Sequence, residues 1–190
     1  MLVGEWEVEA TVPGGGTYSG RLVARPVGDT VAVEWDTTAG RYVGVGLAVQ
    51  QAWYVASGED WTGLGLALIR VDGSVWWSPA PALGDVSTTM LVPRGARHWE
   101  AGSGTAPEFP FDFVGLAGSR YLREAELRGG SAARGLALPF PGGHAVAWSA
   151  RFDQTAILRY TAGREPGTLE AAWGLGGRAG LAAETLRPVA

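Results

Sequence analysis

The chain contains no cysteine, no lysine and no asparagine. Without cysteine there is no disulfide, no thiolate nucleophile and no zinc–thiolate centre. Without lysine there is no Schiff base and no lysine general base. All 15 basic residues are arginine. The missing lysine and asparagine have A-rich codons, while Gly, Ala, Arg and Pro have G/C-rich ones. The bias therefore reads as a GC-rich genome. Thermal adaptation by loss of amides would not also remove lysine.

Other absences bound the class. No apolar run is long enough for a membrane-spanning helix, so no membrane is expected. The net charge is −4 and the arginines form no patch or stripe, which argues against nucleic acid as partner. The opening Met1-Leu-Val-Gly-Glu-Trp-Glu7 has neither a basic region nor an apolar core, so no signal peptide is expected. With no disulfide staples, the expected location is the cytoplasm. No segment sustains a 3.6-residue period, and loops are too short for βαβ crossovers.

What is present is β pattern. Hydrophobic residues make up 46% of 190 positions, and 30 glycines and 11 prolines punctuate them, as expected of short strands joined by tight turns. The central stretch is Leu64-Gly-Leu-Ala-Leu-Ile-Arg-Val-Asp-Gly-Ser-Val-Trp-Trp77. Asp72-Gly73 between two apolar arms predicts a hairpin with a two-residue type I′ turn. Glu5 to Thr11 alternates, with Glu5, Glu7 and Glu9 on one face and Trp6, Val8 and Ala10 on the other. Further strands are expected over 18–25, 30–35, 42–49, 52–56 and 87–92. Gly44 and Gly46 leave a bare strip on one side of their strand, suited to a barrel bend or to close packing under a Trp.

The order recurs. Gly46-Leu-Ala-Val49 is answered by Gly135-Leu-Ala-Leu138, and Arg70 by Arg159, at one constant offset. Trp6-Glu7 is answered by Trp99-Glu100, and Leu91-Val-Pro93 by Leu186-Arg-Pro188. These matches predict an all-β, internally duplicated antiparallel meander. Its two barrel- or sandwich-like halves, 1–93 and 94–190, would be related by a pseudo-twofold axis. The joint would lie at 94–110, with one compact domain holding both halves as the alternative.

Gly4-Glu5-Trp6 at the start of the first strand resembles the G-x-W signature of lipocalins and the wider calycin barrels. The resemblance implies a ligand-binding barrel whose Trp6 plugs the closed end. It also implies an arginine packed over that Trp, a place Arg187 would fill. No second lipocalin motif accompanies it.

The chemistry-bearing residues are few. His98 and His144 stand alone, with no H-x-H pair, and read as surface or turn histidines, so no metal site is expected. No G-x-S-x-G elbow supports a serine nucleophile. Gly14–Gly16 and Gly174-Leu-Gly-Gly177 lack the Lys-Ser/Thr of a phosphate loop. No cofactor is expected. Glu59-Asp60 in the longest loop of the first half, and Asp153, are the carboxylates to consider for a hydrolase. Catalysis is not the favoured reading. The nine tryptophans are the unusual feature. Trp76 and Trp77 are neighbours on one strand, so they point to opposite faces. Trp61 and Trp99 fall in predicted loops. Trp53, Trp61, Trp76, Trp77, Trp99 and Trp148 are therefore the candidate ligand-contacting residues. The expected function is non-enzymatic binding of a small apolar or aromatic ligand in a Trp-lined barrel or inter-repeat cleft. The alternative is a structural or interaction protein that forms a homodimer or docks a partner through exposed Trp faces.

Overall fold

The computed structural model describes residues 1–79, 87–93, 99–101, 112–118, 121–128 and 134–189. The expected joint at 94–110 lies outside them apart from 99–101, and so does His98. The strands are β1 (Gly4–Thr11), β2 (Thr17–Val27), β3 (Thr30–Thr37), β4 (Gly40–Val49), β5 (Ala52–Gly58), β6 (Gly65–Arg70), β7 (Ser74–Pro79) and β8 (Ser87–Pro93). They continue with β9 (Trp99–Ala101), β10 (Asp112–Gly118), β11 (Arg123–Arg128), β12 (Arg134–Phe140), β13 (Gly143–Trp148), β14 (Ala156–Ala162), β15 (Leu169–Leu175) and β16 (Ala182–Pro188). One 3₁₀ turn, Phe152–Gln154, precedes β14. Among the described residues no helix is long and apolar enough to cross a membrane.

The strands form two closed antiparallel barrels. One contains β1–β5 followed by β14–β16, with β16 returning to β1. The other contains β6–β13 in chain order, and β9 meets β10 at the single pair Trp99–Phe113. Both are meanders in which every strand pairs with its neighbours in order around the barrel.

The sheets do not divide at residue 93/94. β6–β8 pair with β9–β13, and β14–β16 pair with β1–β5. Alternating apolarity reports that a strand exists and which face it buries, but not which strand lies beside it. The partner is decided at two crossings, residues 59–64 and 149–155, which run side by side in opposite directions. Thr62 accepts a hydrogen bond from the Ala150 amide at 3.3 Å. Register runs unbroken through the crossings. Ser57 lies opposite Ala156, and eight residues onward Gly65 lies opposite Trp148, eight residues back.

Three apolar clusters follow. Trp6, Val8, Leu22, Val33, Trp35, Leu158, Tyr160 and Leu186 fill the first barrel. Ala67, Val75, Trp77, Leu127, Val146 and Trp148 fill the second. Between the barrels, Val45, Leu47, Tyr54 and Ile157 meet Leu64, Leu66, Leu68, Leu136, Leu138 and Phe140. This seam explains why Leu64 to Ile69 is apolar at every position except Gly65. Leu66 and Leu68 face the other barrel, while Ala67 and Ile69 face their own interior.

Two local details bear on the sequence reading. The Asp72-Gly73 hairpin forms, but not with a two-residue turn. Gly73 donates its amide to the Arg70 carbonyl at 3.0 Å and takes φ 85°, while Asp72 stays out of the left-handed region. This is a three-residue loop, a type I turn closed by a left-handed glycine. Asp72 Oδ1 stabilises it by accepting from the Ser74 amide at 2.9 Å.

The expectation for Gly44 holds. A Cβ there would lie 2.9 Å from the Trp35 ring and 2.7 Å from the Ala56 carbonyl oxygen. One of those neighbours is backbone and cannot swing away. Gly44→Ala is therefore expected to cost roughly 1–3 kcal/mol in urea denaturation.

Candidate functional site

Trp6 is buried toward one end of the first barrel. Its indole Nε1 donates to the Leu2 carbonyl at 2.8 Å, and Leu2 is fully buried beneath it. Gly4, with φ 144°, lets the chain pass against the Trp6 ring. Arg187 does not pack over this Trp. It lies on the outward face of β16, pairs with Glu9 at 2.6 Å and approaches Glu165 at 3.8 Å. Strand alternation requires this, since its buried neighbour Leu186 takes the inward position.

The opposite end of the same barrel holds a cavity of about 200 Å³. Its walls are Tyr18 of β2, Trp35 of β3, Tyr42 of β4 and Trp173 of β15, with Leu158 and Leu175 between them. Tyr18 and Trp173 meet edge to face, ring centres 6.1 Å apart. Trp173 Nε1 is buried and reached by no protein acceptor. Tyr42 anchors its ring by donating to the Ala39 carbonyl at 2.9 Å.

Behind these walls lies Glu184, 1% exposed. Tyr18 donates its hydroxyl to Oε2 at 2.6 Å. Tyr160 donates to Oε1, and the Trp35 indole N–H approaches the same oxygen at 3.5 Å. Burial raises the Glu184 pKa above the ordinary carboxyl range, and the three donors hold it back. Burial, together with the Glu184 charge, pushes the Tyr18 and Tyr160 hydroxyls well up. Glu184 thus fixes two of the four aromatic walls from behind.

The rim carries charge. Arg151 lies 3.7 Å from Glu59 and 3.9 Å from Asp153, both of which border the cavity. Asp60 turns away and accepts from the Thr62 amide at 2.7 Å, which holds its carboxyl below the usual range. Among the described residues no cluster of His, Asp and Glu has the makings of a metal site. His144 is half-buried on β13, and burial beside Arg123 lowers its pKa.

The six tryptophans singled out from sequence are not gathered here. Trp53 packs against the first barrel's core on β5, and Trp61 packs into the seam. Trp77 and Trp148 are buried inside the second barrel. Trp76 is 43% exposed on that barrel's outer face, with the Arg70 guanidinium 5.9 Å from its ring centre. The Trp99 side chain lies outside the described residues. The cavity instead recruits Tyr18, Trp35, Tyr42 and Trp173. A sequence signal for Glu184 did exist: it shares the inward alternation of Ala182 and Leu186, an acid on an otherwise apolar face.

No protein-family model, curated protein or solved structure matches this chain. An eight-stranded antiparallel barrel with a Trp at one end and a cavity at the other is compatible with a calycin-like barrel, and the likeness rests on geometry alone.

Proposed function

We propose that the first barrel is a non-enzymatic binding module for a small apolar or aromatic molecule. The observation that carries this is the cavity of about 200 Å³ walled by four aromatic rings at the end opposite Trp6. A cavity of about 150 Å³ lined by apolar side chains accepts benzene, so this one suits a single ring with a short substituent. The buried Trp173 Nε1 supplies a donor without a protein acceptor, which favours a ligand carrying one hydroxyl or carbonyl. The test is titration of the full chain with p-cresol and toluene, followed by Trp fluorescence and by the Trp173 indole N–H resonance. Both ligands should quench saturably, and p-cresol alone should move the Trp173 N–H downfield. Leu175→Trp, which narrows the half-buried rim, should abolish both responses. A non-saturable response from wild type defeats the proposal.

A second reading rests on Trp76 and Val71, exposed by 43% and 74% on the second barrel. Exposed apolar groups of this kind suit a homodimer or a docked partner. Light scattering that gives a strict monomer, unaltered by Trp76→Ser, rules out the homodimer.

We also read the two barrels as copies of one ancestral unit that have exchanged their last three strands. Each matched sequence pair falls on strands eight apart in chain order: β4 with β12, β6 with β14, β8 with β16 and β1 with β9. Leu47 and Leu136, equivalent in that alignment, both face the seam.

A further inference from the structure

A second concavity opens where the barrels meet. It is a groove of about 390 Å³ bordered by Gln50, Gln51, Tyr54, Phe140, Arg159 and Thr161. We infer that this groove is a binding site for a small organic monocarboxylate, distinct from the barrel cavity and independent of its function.

Arg159 is the centre of the argument. It projects from the outward face of β14, between the inward Leu158 and Tyr160. Its guanidinium lies against the Tyr54 hydroxyl, but its Nε is buried and no protein acceptor reaches that nitrogen. Among the described residues no carboxylate pairs with it. Yet Arg25, Arg41, Arg134, Arg151 and Arg187 all have acidic partners, and the chain carries a net charge of −4. In an acidic protein a half-buried guanidinium with an idle donor is an anomaly, because burial normally goes with pairing. Its planar fork matches a carboxylate.

The surroundings fit the same ligand. Gln50, Gln51 and Thr161 offer further polar groups. Tyr54 donates to the Pro139 carbonyl at 3.2 Å, which ties one barrel to the other at the groove floor. Phe140 packs on Tyr54, ring centres 5.8 Å apart, and with Val49 and Pro141 makes an apolar bed. A bare inorganic anion would leave that bed unused, whereas an aromatic acid would cover it.

Gln50 adds an independent mark. It has φ 55°, and no other non-glycine residue among those described takes a positive φ. It occupies the first position of the two-residue β4–β5 turn, where glycine is least strained. The fold thus holds a long amide at the groove edge in a conformation that disfavours it.

The test uses the ¹⁵N-labelled full chain and follows the Arg159 Nε–H resonance, together with the Gln51 and Thr161 backbone amides that remain readable in Arg159→Gln, during titration with sodium benzoate and, separately, sodium phosphate. Benzoate should move the resonance saturably, and phosphate should bind roughly tenfold or more weakly. Arg159→Gln should abolish binding. Gln50→Gly should melt at a higher temperature and still bind more weakly, which separates the site from the fold. Leu175→Trp should leave benzoate at this groove unchanged, so failure of the barrel cavity and failure of the groove are read apart. An Arg159 resonance that does not saturate overturns the inference. So does benzoate binding that survives Arg159→Gln, or phosphate that binds as tightly as benzoate.

Discussion

Replacing Glu184 with Ala should destabilise the protein by roughly 3–5 kcal/mol, while Glu184→Gln should cost about 1 kcal/mol at mildly acidic pH. Alanine takes the acceptor from Tyr18, Tyr160 and Trp35 at once. Tyr160 and Trp35 are buried and cannot turn to water instead. Gln keeps one oxygen acceptor and nearly the same shape. The pH dependence separates the two roles of the carboxyl. Glu184's folded pKa is raised by burial, so the folded state holds a proton over a range where the unfolded chain has released it. Stability from this group is full below the unfolded value, about 4.3, and falls as pH rises through the raised folded value. His144, lowered by burial, acts in the opposite sense on the acid side of neutrality. The informative quantity is therefore wild type minus Glu184→Gln in urea denaturation between pH 4.5 and 8. That difference should decline with rising pH by at most about 1.4 kcal/mol per pH unit. A difference that stays flat, or an Ala variant within 1 kcal/mol of wild type, contradicts a buried, proton-linked Glu184.

How much of this is legible in the sequence depends on which physical signal is in play. Strand positions were plain because alternation is local. β1's Trp6, Val8 and Ala10 face inward as their spacing required, and Gly44 does lie under a Trp ring. Partner choice was not legible. β5 and β6 are separated by one short loop, and nothing in their composition says that they enter different barrels. The uninterrupted apolar run of β6 was the available clue. A strand buried on both faces needs two layers to bury against, and a lone half-barrel offers one. The cavity was missed for a different reason. Tryptophan count draws attention to the bulkiest rings, yet Trp77 and Trp148 are buried in the second barrel's core, away from this cavity. The cavity is walled instead by two tyrosines and two other tryptophans, of which Tyr18 and Trp35 lean on the buried Glu184. Glu184, out of place on an apolar face, was the residue that pointed there.

Leu66→Ala should cost roughly 2–5 kcal/mol, and the loss should be felt in both barrels, although Leu66 belongs to the sheet of only one. Leu66 is fully buried in the seam with Val45, Leu47 and Ile157 of the first barrel. Opening the second barrel would uncover those residues on the first. It would also release the chain at Gly58 and Thr155, whose neighbours Ser57 and Ala156 are paired directly. Opening the first barrel would part β5 from β14 while the crossing next to them stays closed by Gly65 and Trp148. Neither barrel can therefore unfold without breaking the shared register and exposing the shared core, and the two should melt as one cooperative unit. Hydrogen exchange read by mass spectrometry decides the matter. In Leu66→Ala, peptides from β2 and β3, far from the seam, should lose protection by the same free energy as peptides from β6 and β7. If β2 and β3 kept wild-type protection while β6 and β7 lost theirs, the barrels would be independent folding units and the crossings merely connectors.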